Sequence, residues 1–470
     1  MFSDVDKTLD IVYGRAVNSR GVLQDLKLDL FEPAGDTEDF RPVYVWAHGG
    51  AFVSGDKAAN AAMREDLARR GWVTISIQYR LHHDMGAGFM GILTADDPKA
   101  ATEKRMATVR DAQRDIQAAI RWVRANAARY RLDSSRIAAG GFSAGAEVAL
   151  TVAFNDDDAA DVAFTSDRPF ETGNAAYPSS VSAAVSHAGV YAPGTHGVIN
   201  AGEPPVAMLH GTSDPTVPFP SVIPSCAVTQ ALLNICELTP FPGSGHSVLG
   251  TDVARDFLYR YVVAADRTPT TLTLDPVPSS GQITDHVPVR ATLSSEGLPL
   301  GDRKVVFALG SEQVAVVTGP DGVAEATLTP VAPAGTSELS VTFSGEETSP
   351  VGALGSGSGY AGSRDARSFD VRREATALTY EGDRRIRGET VDAVARLLED
   401  DGPPIAGVPV TFAINGVQAT ATTNDEGLAT ATLSVPDHGK SRELLVNYPG
   451  DDTYEPAQIS TTVTWGGSPQ

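Results

Sequence analysis

The stretch Ile137-Ala138-Ala139-Gly140-Gly141-Phe142-Ser143-Ala144-Gly145 decides how the first half of the chain is read. It opens as a short apolar run, the pattern of a strand buried on both faces. From Ser143 onward, Ala144, Ala146, Val148, Ala149 and Leu150 continue as a helix. The junction, Gly141-Phe142-Ser143-Ala144-Gly145, is a G-x-S-x-G pattern. A strand-to-helix turn this sharp strains the backbone at the serine and needs glycines where side chains would clash. It would lift the Ser143 hydroxyl above the sheet and set it at a helix N-terminus, where free N–H groups favour a developing negative charge. The plain alternative for Ser143 is a helix cap.

Outward from this turn, strand-like and helix-like patterns alternate over residues 1–266. Strand candidates are Leu26–Phe31, Val43–Ala47, Val73–Tyr79, Ile137–Gly141, Ala183–His187, Val206–His210 and Glu237–Phe241. Helical stretches are Ala59–Arg70, Thr108–Arg129 and the one that starts at Ser143. The alternation predicts an α/β fold with a mostly parallel sheet flanked by helices.

A serine hydroxyl is a poor nucleophile until a base takes its proton. His246, in Gly243-Ser244-Gly245-His246-Ser247 after the strand Glu237–Phe241, is placed to be that base. Asp214, in the loop after Val206–His210, is placed to hold the far ring nitrogen. The plain readings are a surface-loop histidine and an aspartate that only shapes the turn before Pro215. Trp46-Ala47-His48-Gly49-Gly50-Ala51-Phe52 follows another strand, and its small residues let backbone N–H groups approach an oxyanion. Gly50, Ala51 and Ala144 are the expected donors, each worth ~3 kcal/mol to a transition state.

Together, His48-Gly49-Gly50-Ala51-Phe52, Gly141-Phe142-Ser143-Ala144-Gly145, His210-Gly211-Thr212-Ser213-Asp214 and Gly245-His246 resemble the carboxylesterase branch of the α/β-hydrolase fold, over roughly residues 9–264. The resemblance implies a carboxylic ester hydrolase working through an acyl-enzyme, with no metal and no cofactor. Short-chain, aryl or polymeric esters are the implied substrates. The usual third glycine of the oxyanion motif is Ala51 here, whose methyl group narrows the space for substrate. Phe52, Phe89 and Met90 are candidates for the substrate pocket, or for the core. Only a short connection separates Ala183–His187 from Val206–His210, leaving no room for a helical lid there and suggesting an open site. Two other classes remain open: a serine peptidase using the same triad, and a non-catalytic surface adhesin.

Composition changes near Arg267-Thr268-Pro269-Thr270. Beyond it, alternating runs rich in Val and Thr are broken by Gly, Pro and Asp, an all-β signature. This half repeats itself. Val305-Val306-Phe307-Ala308-Leu309 matches Val410-Thr411-Phe412-Ala413-Ile414, and Asp321-Gly322-Val323-Ala324 matches Glu426-Gly427-Leu428-Ala429, both 105 positions on. Two β-sandwiches are expected, 270–372 and 373–470, with a flexible Gly/Ser-rich stretch from Gly352 to Ser363. Pro409-Val410-Thr411-Phe412, Asp425-Glu426-Gly427-Leu428-Ala429 and Tyr448-Pro449-Gly450-Asp451-Asp452 resemble bacterial immunoglobulin-like modules. That resemblance implies spacing, or holding an enzyme near a surface or polymer.

The 470 residues carry a net charge of −22, which disfavours nucleic acid and anionic membranes as partners. No run is apolar enough to span a bilayer. The first residues lack the pattern of a secretory signal, yet the modules and Cys226/Cys236 suit a secreted or extracellular protein. Those two cysteines have two readings, a disulfide or a pair of buried free thiols, since a helix and the next strand must bring them within about 7 Å. His82-His83-Asp84 reads as a metal site or, more plainly, as a loop over the site. Asp156-Asp157-Asp158 and Asp451-Asp452 lack Ca²⁺-loop spacing and read as solvated loops.

Overall fold

The structure, a computed structural model, describes residues 1–82, 98–155, 170–171, 174, 177–193, 195–265, 267–331, 333–347, 359–435 and 441–465. They form two compact units. One comprises residues 1–271, 295–297 and 343–363; the other comprises 272–294, 298–342 and 364–470.

The first unit is built on a nine-stranded sheet of β1 (Val5–Val17), β2 (Leu23–Pro33), β3 (Arg41–Ala47), β4 (Val73–Gln78), β5 (Leu132–Phe142), β6 (Phe170–Glu171), β7 (Ala183–His187), β8 (Val206–Gly211) and β9 (Cys236–Phe241). The order across it is β6-β1-β2-β4-β3-β5-β7-β8-β9. The β6–β1, β1–β2 and β2–β4 pairs are antiparallel, and every pair from β4–β3 to β8–β9 is parallel. This is the mostly parallel sheet that the alternating pattern predicts, and its order fits the fold that the motif resemblance implies. The helices are α1 (Ala61–Arg69), α2 (Pro98–Ala125), α3 (Ala144–Phe154), α4 (Ile223–Ala231) and α5 (Thr251–Leu258).

Strand β3 shows why the central strands read as unbroken apolar runs. Val43, Val45 and Ala47 enter one core with Ile116, Ile120 and Val148, while Tyr44 and Trp46 enter a second with Phe257 and Leu258. Alternate side chains point to opposite faces, and helices cover both.

Several boundaries differ from expectation. β1 carries Asp6, Lys7 and Asp10 and is exposed along much of its length, so it has no apolar period to read. β5 starts at Leu132, not Ile137, because its first turn is built by polar contacts: Asp133 Oδ1 accepts from the Ser135 N–H at 2.8 Å, and Oδ2 from Arg136 Nε at 2.6 Å. The long helix runs Pro98–Ala125, earlier at both ends than Thr108–Arg129. In the Gly/Ser-rich stretch, Gly359–Tyr360 pairs in parallel with Arg267–Thr268, so its end is an ordered strand. Between β7 and β8, residues 188–205 carry no helix among the described residues.

The cysteines are bridged: Cys226 on α4 and Cys236 at the start of β9 have Cα atoms 5.4 Å apart and form a disulfide. His82 is buried, its Nε2 3.0 Å from Asp111 Oδ2, beside the Arg80–Asp115 ion pair at 2.8 Å, so it is a core contact and not a loop at the site mouth. His83, Asp84 and Asp156–Asp158 lie outside the described residues.

In the β-rich half, the sequence repeat is also a repeat of register. Phe307 faces Val314 and Val341, and 105 residues on Phe412 faces Ala419 and Val446. Each repeat pairs one five-stranded sheet with a smaller one. Phe307 and Phe412 are fully buried, with Leu444, Val446 and Leu433 around the latter. Asp451 is not merely solvated: its Oδ1 accepts the N–H groups of Thr453 and Tyr454, both at 2.8 Å, and shapes the turn. No described helix is long and apolar enough to cross a membrane.

Phe412→Ala should cost about 3–5 kcal/mol locally, because the ring is wholly enclosed. Hydrogen exchange is the check. Protection should fall across residues 409–448 and stay unchanged in β3 and β5; unchanged protection in the second repeat would contradict the packing described.

Candidate active site

The turn from β5 into α3 is set by close backbone contacts. A Cβ on Gly145 would sit 2.1 Å from the Ala47 carbonyl oxygen, and one on Gly141 2.3 Å from that of Gly145. No side chain fits at either position. Ser143 is held at φ 54°, ψ −119°, strained for any residue but glycine. Its N–H donates to the His187 carbonyl at 2.8 Å, and its own carbonyl accepts from the Glu147 N–H at 3.0 Å.

His246 lies on the loop after β9 and joins two groups. Its Nε2 is 2.9 Å from Ser143 Oγ, and its Nδ1 is 2.7 Å from Asp214 Oδ2. An ionised carboxylate only accepts, so the imidazole proton sits on Nδ1 and Nε2 is left to take the serine proton. Asp214, buried on the loop after β8, also accepts from the N–H groups of Thr216 and Val217 at 2.8 and 2.9 Å. His210 Nε2 donates to the Val217 carbonyl at 2.8 Å and lies 3.2 Å from Asp214 Oδ2. Burial pushes the Asp214 carboxyl up, but His246 and the two N–H groups outweigh it and hold the carboxyl below its ordinary range. Asp214 therefore stays charged at neutral pH and fixes the ring.

The loop after β3 turns through three successive positive φ values: Gly50 at 126°, Ala51 at 52° and Phe52 at 64°. The N–H groups of Val53 and Ser54 close it onto the Gly50 carbonyl. Among the described residues no acceptor faces the N–H of Gly50 or Ala51. Ala144 opens α3, so its N–H also lacks an intrahelical partner. His48 anchors the loop from below. It stacks on Tyr79 at 4.3 Å between ring centroids, and its carbonyl accepts the Tyr79 hydroxyl at 2.8 Å. Burial lowers the His48 pKa, so the ring is neutral.

A cavity of about 50 Å³ opens beside Ser143, lined by Ala51, Phe52, Ala144, Glu147, Val190 and Val217 among others. The structure thus brings Ser143, His246, Asp214, Ala51, Ala144 and Phe52 together, with Gly50 in the same turn. Phe89 and Met90 lie outside the described residues.

Sequence reasoning missed a second polar set. Glu147 is buried on α3, one turn past Ser143, with its carboxylate 2.7 and 2.8 Å from Arg105 Nη2 and 2.7 Å from His196 Nε2. The Ala192 N–H donates to His196 Nδ1 at 2.7 Å, so His196 carries its proton on Nε2, toward Glu147. Burial raises the Glu147 carboxyl, but Arg105 and His196 more than offset this and keep it below the usual range. One signal was available: Glu147 is the single charge in an otherwise apolar helical run, and buried charges need partners.

Ala51 occupies a left-handed conformation that costs a non-glycine residue roughly 1–2 kcal/mol. Ala51→Gly should raise stability by up to about 1 kcal/mol in urea unfolding, with the N–H direction unchanged. A clear loss of stability would mean that the methyl group packs more than it strains.

Residues 20–162 match the model of the carboxylesterase family, a span holding the Gly50–Phe52 loop and the Ser143 turn. Carboxylesterase 3 of Pongo abelii is 33% identical over 125 residues, which are 26% of this chain and 19% of that protein. A probable N-octanoylanthranilate hydrolase, AqdA2 of Rhodococcus erythropolis, is 36% identical over 106 residues, 22% of this chain and 20% of that protein. The chain thus spans about a fifth of the length of these curated relatives. Among solved structures, a propionate-bound thermophilic esterase of Thermogutta terrifontis is similar at 26% identity, covering 54% of this chain and 93% of that one with a TM-score of 0.42.

Proposed function

We propose that the first unit is a serine carboxylic ester hydrolase. The observation that carries this reading is His246, hydrogen-bonded at once to Ser143 Oγ and Asp214 Oδ2. The carboxylesterase family match over residues 20–162 supports it. Ser143 Oγ attacks the ester carbonyl carbon while its proton passes to His246 Nε2. The carbonyl oxygen takes the negative charge and rests against the N–H groups of Gly50, Ala51 and Ala144. His246 then gives the proton to the leaving alcohol as the C–O bond breaks, and an acyl-Ser143 remains. Water, deprotonated by His246, attacks that acyl group and releases the acid.

The cavity beside Ser143 limits the acyl part. Its walls come close to Ser143 on the described sides, which favours a small acyl group. Small esters are therefore favoured over polyesters, whose acyl chain would overrun this space. We read the two C-terminal repeats as immunoglobulin-like sandwiches that place the enzyme near a surface or polymer. The Cys226–Cys236 bridge favours a protein working outside the cytoplasm.

Hydrolysis of p-nitrophenyl esters from acetate to palmitate, by wild type and Ser143→Ala side by side, tests the reading. Wild type should peak between acetate and butyrate, and the variant should lose at least ~10³-fold in kcat. Peptide cleavage without ester cleavage would make it a peptidase. No turnover of either class would leave a binding protein.

A further inference from the structure

Glu374 lies between the strand Ser363–Arg372, which ends the first repeat, and Thr376–Tyr380, which opens the second. Its side chain is wholly buried. Oε2 accepts from the Thr284 hydroxyl at 3.2 Å, and Oε1, equally buried, has no hydrogen-bond partner. A buried carboxyl oxygen without a donor is an unfavourable feature for a fold to hold, more so if the group is ionised. Its surroundings add to the problem. Asp400 and Asp401, in the turn after the strand Thr390–Glu399, each place a carboxylate oxygen so that these two and one from Glu374 all lie within 4.8 Å of one another. Among the described residues, none of the three has a Lys or Arg at ion-pair distance. Burial above all, then the charge of Asp285, a carboxyl–carboxyl hydrogen bond with Asp400 and the charge of Glu399, push the Glu374 carboxyl up to about 7, against the donor at Thr284.

The groups are fixed by both repeats. The Ala375 N–H donates to Gln282 Oε1 at 2.6 Å, and the Asp400 N–H donates to the Ala375 carbonyl at 3.0 Å. The Glu374 N–H donates to the Thr453 carbonyl, and the Glu455 N–H to the Glu374 carbonyl, both at 2.8 Å. Three carboxyl oxygens held together with no Lys or Arg at ion-pair distance among the described residues would, once ionised, match the needs of a hard divalent cation. With only oxygen donors the site disfavours zinc, copper and nickel. Two oxygens bound to one Ca²⁺ at 2.3–2.6 Å can stand up to about 5 Å apart, so the observed spread needs little rearrangement. The exposed sides of Asp400 and Asp401 leave room for the waters that complete an irregular shell, which Ca²⁺ tolerates and Mg²⁺ does not.

We propose that Glu374, Asp400 and Asp401 form a Ca²⁺ site where the two C-terminal repeats meet, and that the ion locks one repeat onto the other. The site is independent of the ester chemistry.

The test is calorimetric titration of the EDTA-treated, dialysed full chain with CaCl₂, beside thermal scans in CaCl₂, MgCl₂ and EDTA. One Ca²⁺ should bind with a Kd on the order of 10⁻⁴–10⁻³ M, as for extracellular modules, and should raise the melting temperature of the β-rich unit. Glu374→Gln and the exposed Asp401→Asn should each weaken binding at least tenfold, with hydrolysis of p-nitrophenyl acetate unchanged. No Ca²⁺-dependent heat or melting shift up to about 10 mM in wild type would overturn the proposal. So would binding that survives both substitutions, or a response that MgCl₂ reproduces at equal concentration. If Glu374 and Asp400 only share a proton, Glu374→Gln will raise the melting temperature in EDTA while CaCl₂ leaves wild type unmoved, which also overturns it.

Discussion

The first unit depends on one close backbone crossing. Where α3 leaves β5, the Gly145 backbone passes so near the Ala47 carbonyl that not even a methyl group fits between them. That contact ties the end of β3 to the start of α3. It therefore brings the loop after β3, whose Gly50 and Ala51 N–H groups meet no acceptor among the described residues, beside Ser143 and Ala144. Placement of the serine and of the donors around it is one event, not two. The strain at Ser143 is borne by the same frame: its N–H is held by β7 through His187, and its carbonyl by the first turn of α3. A residue in so unfavourable a conformation persists only where its surroundings over-determine it.

Buried charge is the second expense of this fold, and one such set lies near the site. Arg105 and His196 neutralise Glu147 one helical turn from Ser143. An uncompensated carboxylate there would oppose the negative charge of the proposed oxyanion. The paired set instead gives the cavity wall a polar but neutral face. Buried ion pairs are weak sources of net stability, so positioning of the wall is a better account of this one than stabilisation.

Much of this was legible in the sequence because the central strands are buried on both faces and the turn motifs are local. The run at Val43–Ala47 and the G-x-S-x-G turn have short-range physical causes, and so do the loops carrying Asp214 and His246. What was hidden depends on partners distant in sequence. β1 is an exposed strand with only the two-residue β6 outside it, and its charges mask it until β2 is beside it. The Glu147–Arg105–His196 set joins residues 42 and 49 positions apart, and no spacing rule links them. The end of the Gly/Ser-rich stretch read as flexible by composition, but Gly359–Tyr360 finds backbone partners at Arg267–Thr268. The second repeat makes the corresponding passage from Tyr448 to Ala457 with a short turn shaped by Asp451. The repeat was visible, while the insertion's destination was not.

The departure at Ala51 gains meaning from its backbone. A glycine would adopt φ 52° freely, whereas alanine holds it under strain and adds a methyl group to the cavity wall. Phe52 follows in the same left-handed region and lines the same cavity, so both side chains are presented by the turn that presents the N–H groups. On the proposed reading, oxyanion binding and acyl size are then set by one short segment. The Ala51 methyl group and the Phe52 ring thus narrow the space beside Ser143 from the same left-handed turn.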